Sequence, residues 1–199
     1  SGFLGSVIAK KLSGARYSIS SLGKSGHQDI ICNLATSIPV IDKEYDWVIH
    51  AAGKAHVVPR NPVEIADFFR VNVEGTKNLL KGIEKSGQLP GSIIFISTVA
   101  VYGTDAGEMI GENYNRTATD PYGQSKIQAE DYLLEWGEKK GVKIGIVRPS
   151  LIVGHHAPGN LGALIKGIKT GRYLNIDHGK ARLSMVLAED LAEFLPVIA

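Results

Sequence analysis

An α/β fold with a doubly wound parallel sheet is predicted by three observations. Short apolar runs alternate with helical patterns along the whole chain, the spacing of strand–helix–strand units. Two of the runs, Asp46 to Gly53 and Ser92 to Thr98, are apolar along most of their length. That is how strands buried on both faces read. Both end in small or hydroxyl-bearing residues, which lets a ligand pass close to their carboxyl ends, where open α/β sheets bind.

The elements follow in order. Gly2 and Gly5 stand three apart and open the helical pattern Ser6 to Leu12. They match the last two glycines of a dinucleotide-binding turn, although C-caps and ordinary turns produce the same spacing. No strand stands before this helix, so a strand upstream of residue 1 is expected. Arg16 to Ser20 reads as a short second strand. No acid follows it at Ser21-Leu22-Gly23-Lys24-Ser25. An acid there would select the free ribose of NAD. Lys24 and the serines suit a 2′-phosphate, or simply a solvated turn. Asp29 to Leu34 reads as a third strand, Asp46 to Gly53 as a fourth, Ser92 to Thr98 as a fifth and Val142 to Pro149 as a sixth. Pro62 to Gly82 is predicted helical. So is the stretch from Pro121, where Asp120 supplies the cap and Pro121 the first helical residue. Asp190 is expected to cap the last helix.

Tyr122 and Lys126 are four apart on that helix and share a face. Alone, such a pair is an ordinary solvated couple. A fixed ammonium beside a phenol nevertheless makes Tyr a usable proton acceptor. Bringing its pKa from ~10 to ~7 needs about 4 kcal/mol of preferential phenolate stabilisation.

Bulk composition narrows the partners. The 199 residues are 44% hydrophobic and carry a formal charge of +2, with no run of Lys or Arg. Nucleic acid is therefore not the expected partner. Cys32 is the single cysteine, which suits a reducing compartment. No apolar run approaches membrane-spanning length, and a cytoplasmic protein with no membrane partner is expected. No metal site is expected either. His155-His156 has no accompanying Cys or carboxylate cluster, and His50 and His56 read as structural or groove-lining.

Several stretches together carry a resemblance. They are Gly2-Phe3-Leu4-Gly5, His50-Ala51-Ala52-Gly53, Val71-Asn72-Val73-Glu74-Gly75-Thr76, Ser97-Thr98 with Val101-Tyr102-Gly103, Tyr122 with Lys126, and Arg148-Pro149. In this order and spacing the chain resembles the extended short-chain dehydrogenase/reductases. These are the NAD-dependent epimerases and dehydratases that act on nucleotide sugars.

The resemblance implies an enzyme with a Rossmann domain over residues 1–150. The start of a smaller substrate-binding region would occupy 151–199. Gly2, Phe3, Leu4 and Gly5 would bind the pyrophosphate of NAD or NADP. Asn33 and Leu34 would lie beside the adenine. Ala51, Ala52 and Gly53 would line the cofactor groove, and Pro149 and Ser150 would border the nicotinamide. Asn72 would sit at a helix irregularity near the site, and Asn72 and Ser97 would also contact the cofactor. Lys126 would bond the nicotinamide ribose and lower the pKa of Tyr122. Thr98, four residues before Tyr102, would share one sugar hydroxyl with Tyr122 as its second catalytic partner. Ser97 is the second choice for that hydroxyl. Asn160 and Arg182 match positions near the substrate diphosphate, and a homodimer through the helices at 62–82 and 122–140 is implied.

One departure from the family pattern bears on the reaction. Val99 and Ala100 follow Thr98, where the family's dehydratases carry an acid pair. An epimerase or a 4-keto-sugar reductase is therefore expected rather than a dehydratase. Two alternatives stand beside it: a non-catalytic dinucleotide sensor, and a dehydrogenase of a non-sugar alcohol.

Overall fold

A computed structural model describes residues 2–15, 17–55, 58–104, 106–155, 167–172 and 182–199. Its centre is a parallel sheet of β3 (Trp47–His50), β4 (Ser92–Ile96) and β5 (Lys143–Val147), with β4 in the middle. Trp47 aligns with Ser92, and Ser92 in turn with Lys143. Two further parallel pairs are β1 (Leu22–Gly23) with β2 (Ile30–Ile31), and β6 (Leu151–Val153) with β7 (Met185–Leu187).

Every residue of β4 is buried, and its alternating side chains build two separate cores. Ile93 and Phe95 face one way. They pack with Leu79, Leu80 and Ile83 of α3 (Gly75–Ser86) and with Ala129, Leu133 and Trp136 of α4 (Pro121–Lys140). Ile94 and Ile96 face the other way. They pack with Ile8 and Leu12 of α1 (Phe3–Ser13) and with Leu191 and Ala192 of α5 (Ala188–Phe194). The period of two along a strand thus places helices on both faces, which is the doubly wound arrangement. Ile93, Ile94 and Phe95 are fully buried, each contributing roughly 1.5–3 kcal/mol of transfer free energy.

The helices start where their local chemistry dictates. Asn61 accepts from the Glu64 N–H at 2.9 Å, and Glu64 accepts from the Arg60 N–H at 2.8 Å. This reciprocal pair starts α2 (Pro62–Phe69), with Pro62 in the first turn. Asp120 accepts from the Gly123 N–H at 2.9 Å and starts α4. Gly141 ends α4 at φ 69°, a left-handed value that suits glycine.

Some expected boundaries move. The predicted helix from Pro62 to Gly82 is interrupted by one π-helical stretch, Arg70–Glu74, and then runs on as α3 to Ser86. The predicted second strand falls too early: Tyr17 to Ser20 is irregular, and the pairing residues are Leu22 and Gly23. The reason is non-local. Asp29 accepts from both the N–H and the hydroxyl of Ser21 at 2.7 Å, which sets the start of the β1–β2 pairing at Ser21. Asp190 is not a cap. Leu187 occupies that position, and Asp190 lies in the first turn of α5, where its charge still favours the helix dipole. Asn160, His56 and His156 lie outside the described residues.

Candidate active site

The carboxyl end of β4 meets the start of α4, and the candidate site forms there. The apolar period of α4 buries Gly123, Ser125, Lys126, Ala129, Glu130 and Leu133 along one stripe. Lys126 therefore enters the protein rather than solvent. Its Nζ donates to the Ile96 carbonyl at 2.7 Å and sits 4.1 Å from the centre of the Phe95 ring. Burial pulls its pKa down to about 7, against the opposing pull of Glu130.

Tyr122 lies one turn earlier on the same face, its ring 6.0 Å from that of Phe68 on α2. The Thr98 hydroxyl interacts with its phenol and favours the phenolate, but burial has the larger effect and raises the pKa above its ordinary value. Lys126 was expected to lower it. Instead the ammonium is aimed at the end of β4, and the same dry surroundings disfavour charge on both groups.

Thr98 is placed by a turn. Its hydroxyl accepts from the Ala100 N–H at 3.2 Å and starts a short 3-10 turn, Val99–Tyr102. The Val99 N–H donates to the Pro149 carbonyl at 3.2 Å, which brings Pro149 and Ser150 alongside. Gly123 packs α4 against this turn. A Cβ there would lie 2.4 Å from Ala118 Cβ and 2.9 Å from the Ala100 carbonyl oxygen. Gly123→Ala is expected to lower stability by about 1–3 kcal/mol and to lower activity as well, because it pushes Tyr122 away from Thr98. Urea denaturation beside a rate measurement checks this.

The end of β3 forms the opposite wall. Ala52 and Gly53 are exposed. A Cβ on Gly53 would come within 3.2 Å of Asn72 Oδ1, a tight contact, and 3.6 Å of Lys126 Nζ, an ordinary one, so the bare backbone here lies directly against both side chains. Asn72 sits in the π-helical stretch and is 1% exposed. Its oxygen accepts from the Lys54 N–H at 2.7 Å, and its amide donates to the Lys54 carbonyl and to Ser125 Oγ. It ties the segment after β3, the π-helical stretch and α4 together. Beneath it, His50 Nε2 pairs with Thr76 Oγ1 at 2.8 Å, and burial holds the His50 pKa down at about 3.

The structure thus gathers Gly53, Asn72, Thr98, Tyr122, Lys126 and Pro149 around one end of the sheet. The other expected residues stand differently. Leu4 packs in the same core cluster as Ala51, at the start of α1. Gly2 precedes α1 without a side-chain cap, and Phe3 approaches the backbone position of Gly154. Asn33 caps its own turn by accepting from Ala35 N–H, and lines a groove of about 600 Å³ with Lys24, Asp29 and Asp42. Leu34 is a core residue, so it offers a cofactor only its backbone. Ser97 is buried with its hydroxyl turned to Glu130, away from the groove. Arg182 is exposed and stands before β7.

Sequence reading missed Glu130 and Arg116. Glu130 is fully buried and meets Ser97, Arg116 and Arg148. The available signal was the spacing 122, 126, 130, which puts an acid on the apolar stripe of α4. Among the described residues, no three His, Cys, Asp or Glu gather as a metal site, and no helix is long and apolar enough to cross a membrane.

Comparison with known proteins gives the family and the fold. Residues 1–199 match the NAD dependent epimerase/dehydratase family. The chain belongs to that family of enzymes. Over 130 residues it is 37% identical to the N-acetyl-alpha-D-glucosaminyl-diphospho-ditrans,octacis-undecaprenol 4-epimerase of Escherichia coli O157:H7. That match covers 64% of this chain and 38% of the relative. It is 33% identical over 122 residues to the GDP-6-deoxy-D-mannose reductase of Pseudomonas aeruginosa, covering 60% of this chain and 38% of the relative. The fold matches that of UDP-glucose 4-epimerase from Bifidobacterium longum, solved with NAD+ and UDP. The TM-score is 0.78 at 21% identity, over 99% of this chain and 71% of that one. The chain thus spans about two fifths of the length of these two curated relatives.

Proposed function

We propose that the chain is the catalytic part of a nicotinamide-dependent enzyme that epimerises a diphosphate-linked sugar or reduces a 4-keto sugar. The observation that carries this reading is the meeting of Thr98, Tyr122 and Lys126 at the carboxyl end of β4. Relatives of both kinds, a 4-epimerase and a reductase, support it.

The residues suit NAD or NADP. The bare backbone of Gly53 lies against Lys126, whose ammonium has three N–H donors, one of them directed at Ile96. Ala51, Ala52, Gly53 and Lys126 would hold the nicotinamide end, and the first turn of α1 at Gly2 to Gly5 the pyrophosphate. When bound, the nicotinamide supplies hydride transfer and, in its oxidised form, a positive charge near the phenol. Residues 151–199, with Arg182, would begin the sugar-binding region, and a second copy of the chain would pair along the helices at 62–82 and 122–140.

The raised pKa of Tyr122 makes it a neutral phenol at neutral pH. It is ready to donate a proton to the oxygen of a 4-keto sugar as that carbon is reduced, with Thr98 fixing the oxygen. Epimerisation would begin with the oxidative half, for which Tyr122 would have to be phenolate, favoured by Thr98 and by the charge of the oxidised nicotinamide. It would take the hydroxyl proton as hydride leaves the same carbon, and return that proton to the sugar oxygen in the reductive half. Val99 and Ala100 hold no proton to give, so elimination of water is not supported.

The test is a substrate panel. Purified protein is incubated with NAD or NADP and UDP-hexoses, UDP-N-acetylhexosamines or a polyprenyl-diphosphate N-acetylhexosamine, and separately with NAD(P)H and a 4-keto-6-deoxy nucleotide sugar. Inversion at C4 with no net change in nicotinamide absorbance identifies an epimerase. Oxidation of NAD(P)H identifies a reductase. Release of a 4-keto-6-deoxy sugar from a hexose would overturn the exclusion of elimination. No conversion, with no thermal stabilisation by either dinucleotide, would overturn the reading altogether.

A further inference from the structure

We propose that Glu130 is the positioning residue of this site: one buried carboxylate that holds the end of β4, the segment at 112–116 and the Lys126 face of α4 in a single register. This rests on the reading of Thr98, Tyr122 and Lys126 as the acid/base centre.

The two oxygens of Glu130 are satisfied from three directions. Ser97 donates to Oε1 from the end of β4. Arg148, just past β5, donates from Nε to both oxygens at 3.0 and 3.2 Å and from Nη2 to Oε2 at 2.7 Å. Arg116, from the segment that enters α4, donates to Oε2 at 3.1 Å and reaches Asp131 with its other nitrogen at 2.7 Å. Arg148 extends the network. Its Nη1 donates to the Tyr102 hydroxyl at 3.1 Å and to the Glu112 carbonyl at 2.9 Å. The Tyr102 ring then packs edge-on against Tyr114. A single anion therefore fixes the residue before Thr98, the 3-10 turn after it and the segment leading to Tyr122.

Stability alone does not account for this cluster. Taking a carboxylate fully out of water, and two guanidinium groups partly, is costly, and well-packed apolar residues often serve a core as well or better. What the ions supply is direction: bidentate Arg–carboxylate geometry tolerates little rotation. Glu130 and Lys126 are both fastened to the end of β4, one through the Ser97 hydroxyl and the other through the Ile96 carbonyl. The carboxylate also acts on Lys126 directly. Among the described residues, the titratable groups that interact with Lys126 are Glu130 on its own helix and His50 from β3, and Tyr122 lies one turn earlier on the same face. β4 presents the uncharged Phe95 ring and Ile96 carbonyl. Glu130 is the group that opposes the effect of burial on Lys126.

The test uses Glu130→Gln, which keeps the shape and removes the charge. Three readouts are taken on the whole chain: dinucleotide affinity, the pH dependence of kcat, and the titration of Lys126 followed by competitive amine labelling. Glu130→Gln is expected to reduce kcat by roughly 10–100-fold, to leave dinucleotide affinity within about threefold, and to move the Lys126 titration down by about one unit. Amide exchange across 112–116 should accelerate. Should Glu130→Gln not fold, Arg116→Gln isolates the tether: exchange at 112–116 rises and kcat falls while the Lys126 titration stays put. Glu130→Asp, which restores charge with a shorter reach, is expected to recover the Lys126 titration but not kcat.

Lower melting temperature with an unchanged Lys126 titration and unchanged exchange at 112–116 would overturn the proposal, because Glu130 would then be structural only. The labelling and exchange readouts need no turnover. If the wild-type chain converts no sugar and Glu130→Gln still moves both, the positioning role stands and the functional reading falls.

Discussion

Tyr122→Phe is expected to lower turnover by about 10²–10⁴-fold while leaving dinucleotide affinity nearly intact. That range is what a positioned proton donor contributes. The substitution removes one oxygen and keeps the ring, which packs 6.0 Å from Phe68 and needs no hydroxyl for that contact. The loss should fall on kcat, since the proton moves only as the sugar carbon gains or loses hydride. Lys126→Ala is expected to weaken both turnover and cofactor binding, because the ammonium faces the groove beside Gly53 and also ends on Ile96. Stopped-flow rates with fluorescence titration of the dinucleotide separate the two. Normal turnover by Tyr122→Phe would end the mechanism proposed above.

The second large effect is on stability in acid. His50 is 3% exposed, and burial holds its pKa at about 3, with the Lys126 charge adding to the effect. In the unfolded chain His titrates near ~6.5. Between these values the unfolded state binds a proton that the folded state refuses. Stability therefore rises with pH across this window. The contribution is fully present above about 6.5 and is lost progressively as pH falls towards about 3. The difference amounts to on the order of 4–5 kcal/mol at most. Urea midpoints measured from neutral to acid pH should trace this slope, and His50→Gln should flatten it. An acid limb identical in the two proteins would show that other groups carry it.

Secondary structure was legible wherever its cause was local. Asp120-Pro121 and Asn61-Pro62 announced their helices because a cap and a pre-set φ act within one turn. β4 announced itself because a strand covered on both faces has no polar residue to spare. The boundary at Ser21 was not legible, since it depends on Asp29, eight residues away. The interruption of the helix at Arg70–Glu74 was legible only through the family resemblance. Asn72 reaches Lys54 and Ser125, both remote in sequence.

The candidate site divides the same way. That Tyr122 and Lys126 share a face follows from four-residue spacing on a helix and needs no fold. Whether that face meets water or the sheet is a matter of packing, and packing reversed one expectation: burial raised the phenol and lowered the ammonium instead of letting one charge favour the other. Glu130 illustrates the limit. As a letter it is one of many acids on a helix, and its partners Ser97, Arg116 and Arg148 lie 14 to 33 positions away. The chain alone determined that one helix presents Tyr122 and Lys126 on a shared face, because period and capping are local. Only the tertiary structure decided their charge states and the carboxylate that orders them, because desolvation and ion pairing depend on what the fold brings near.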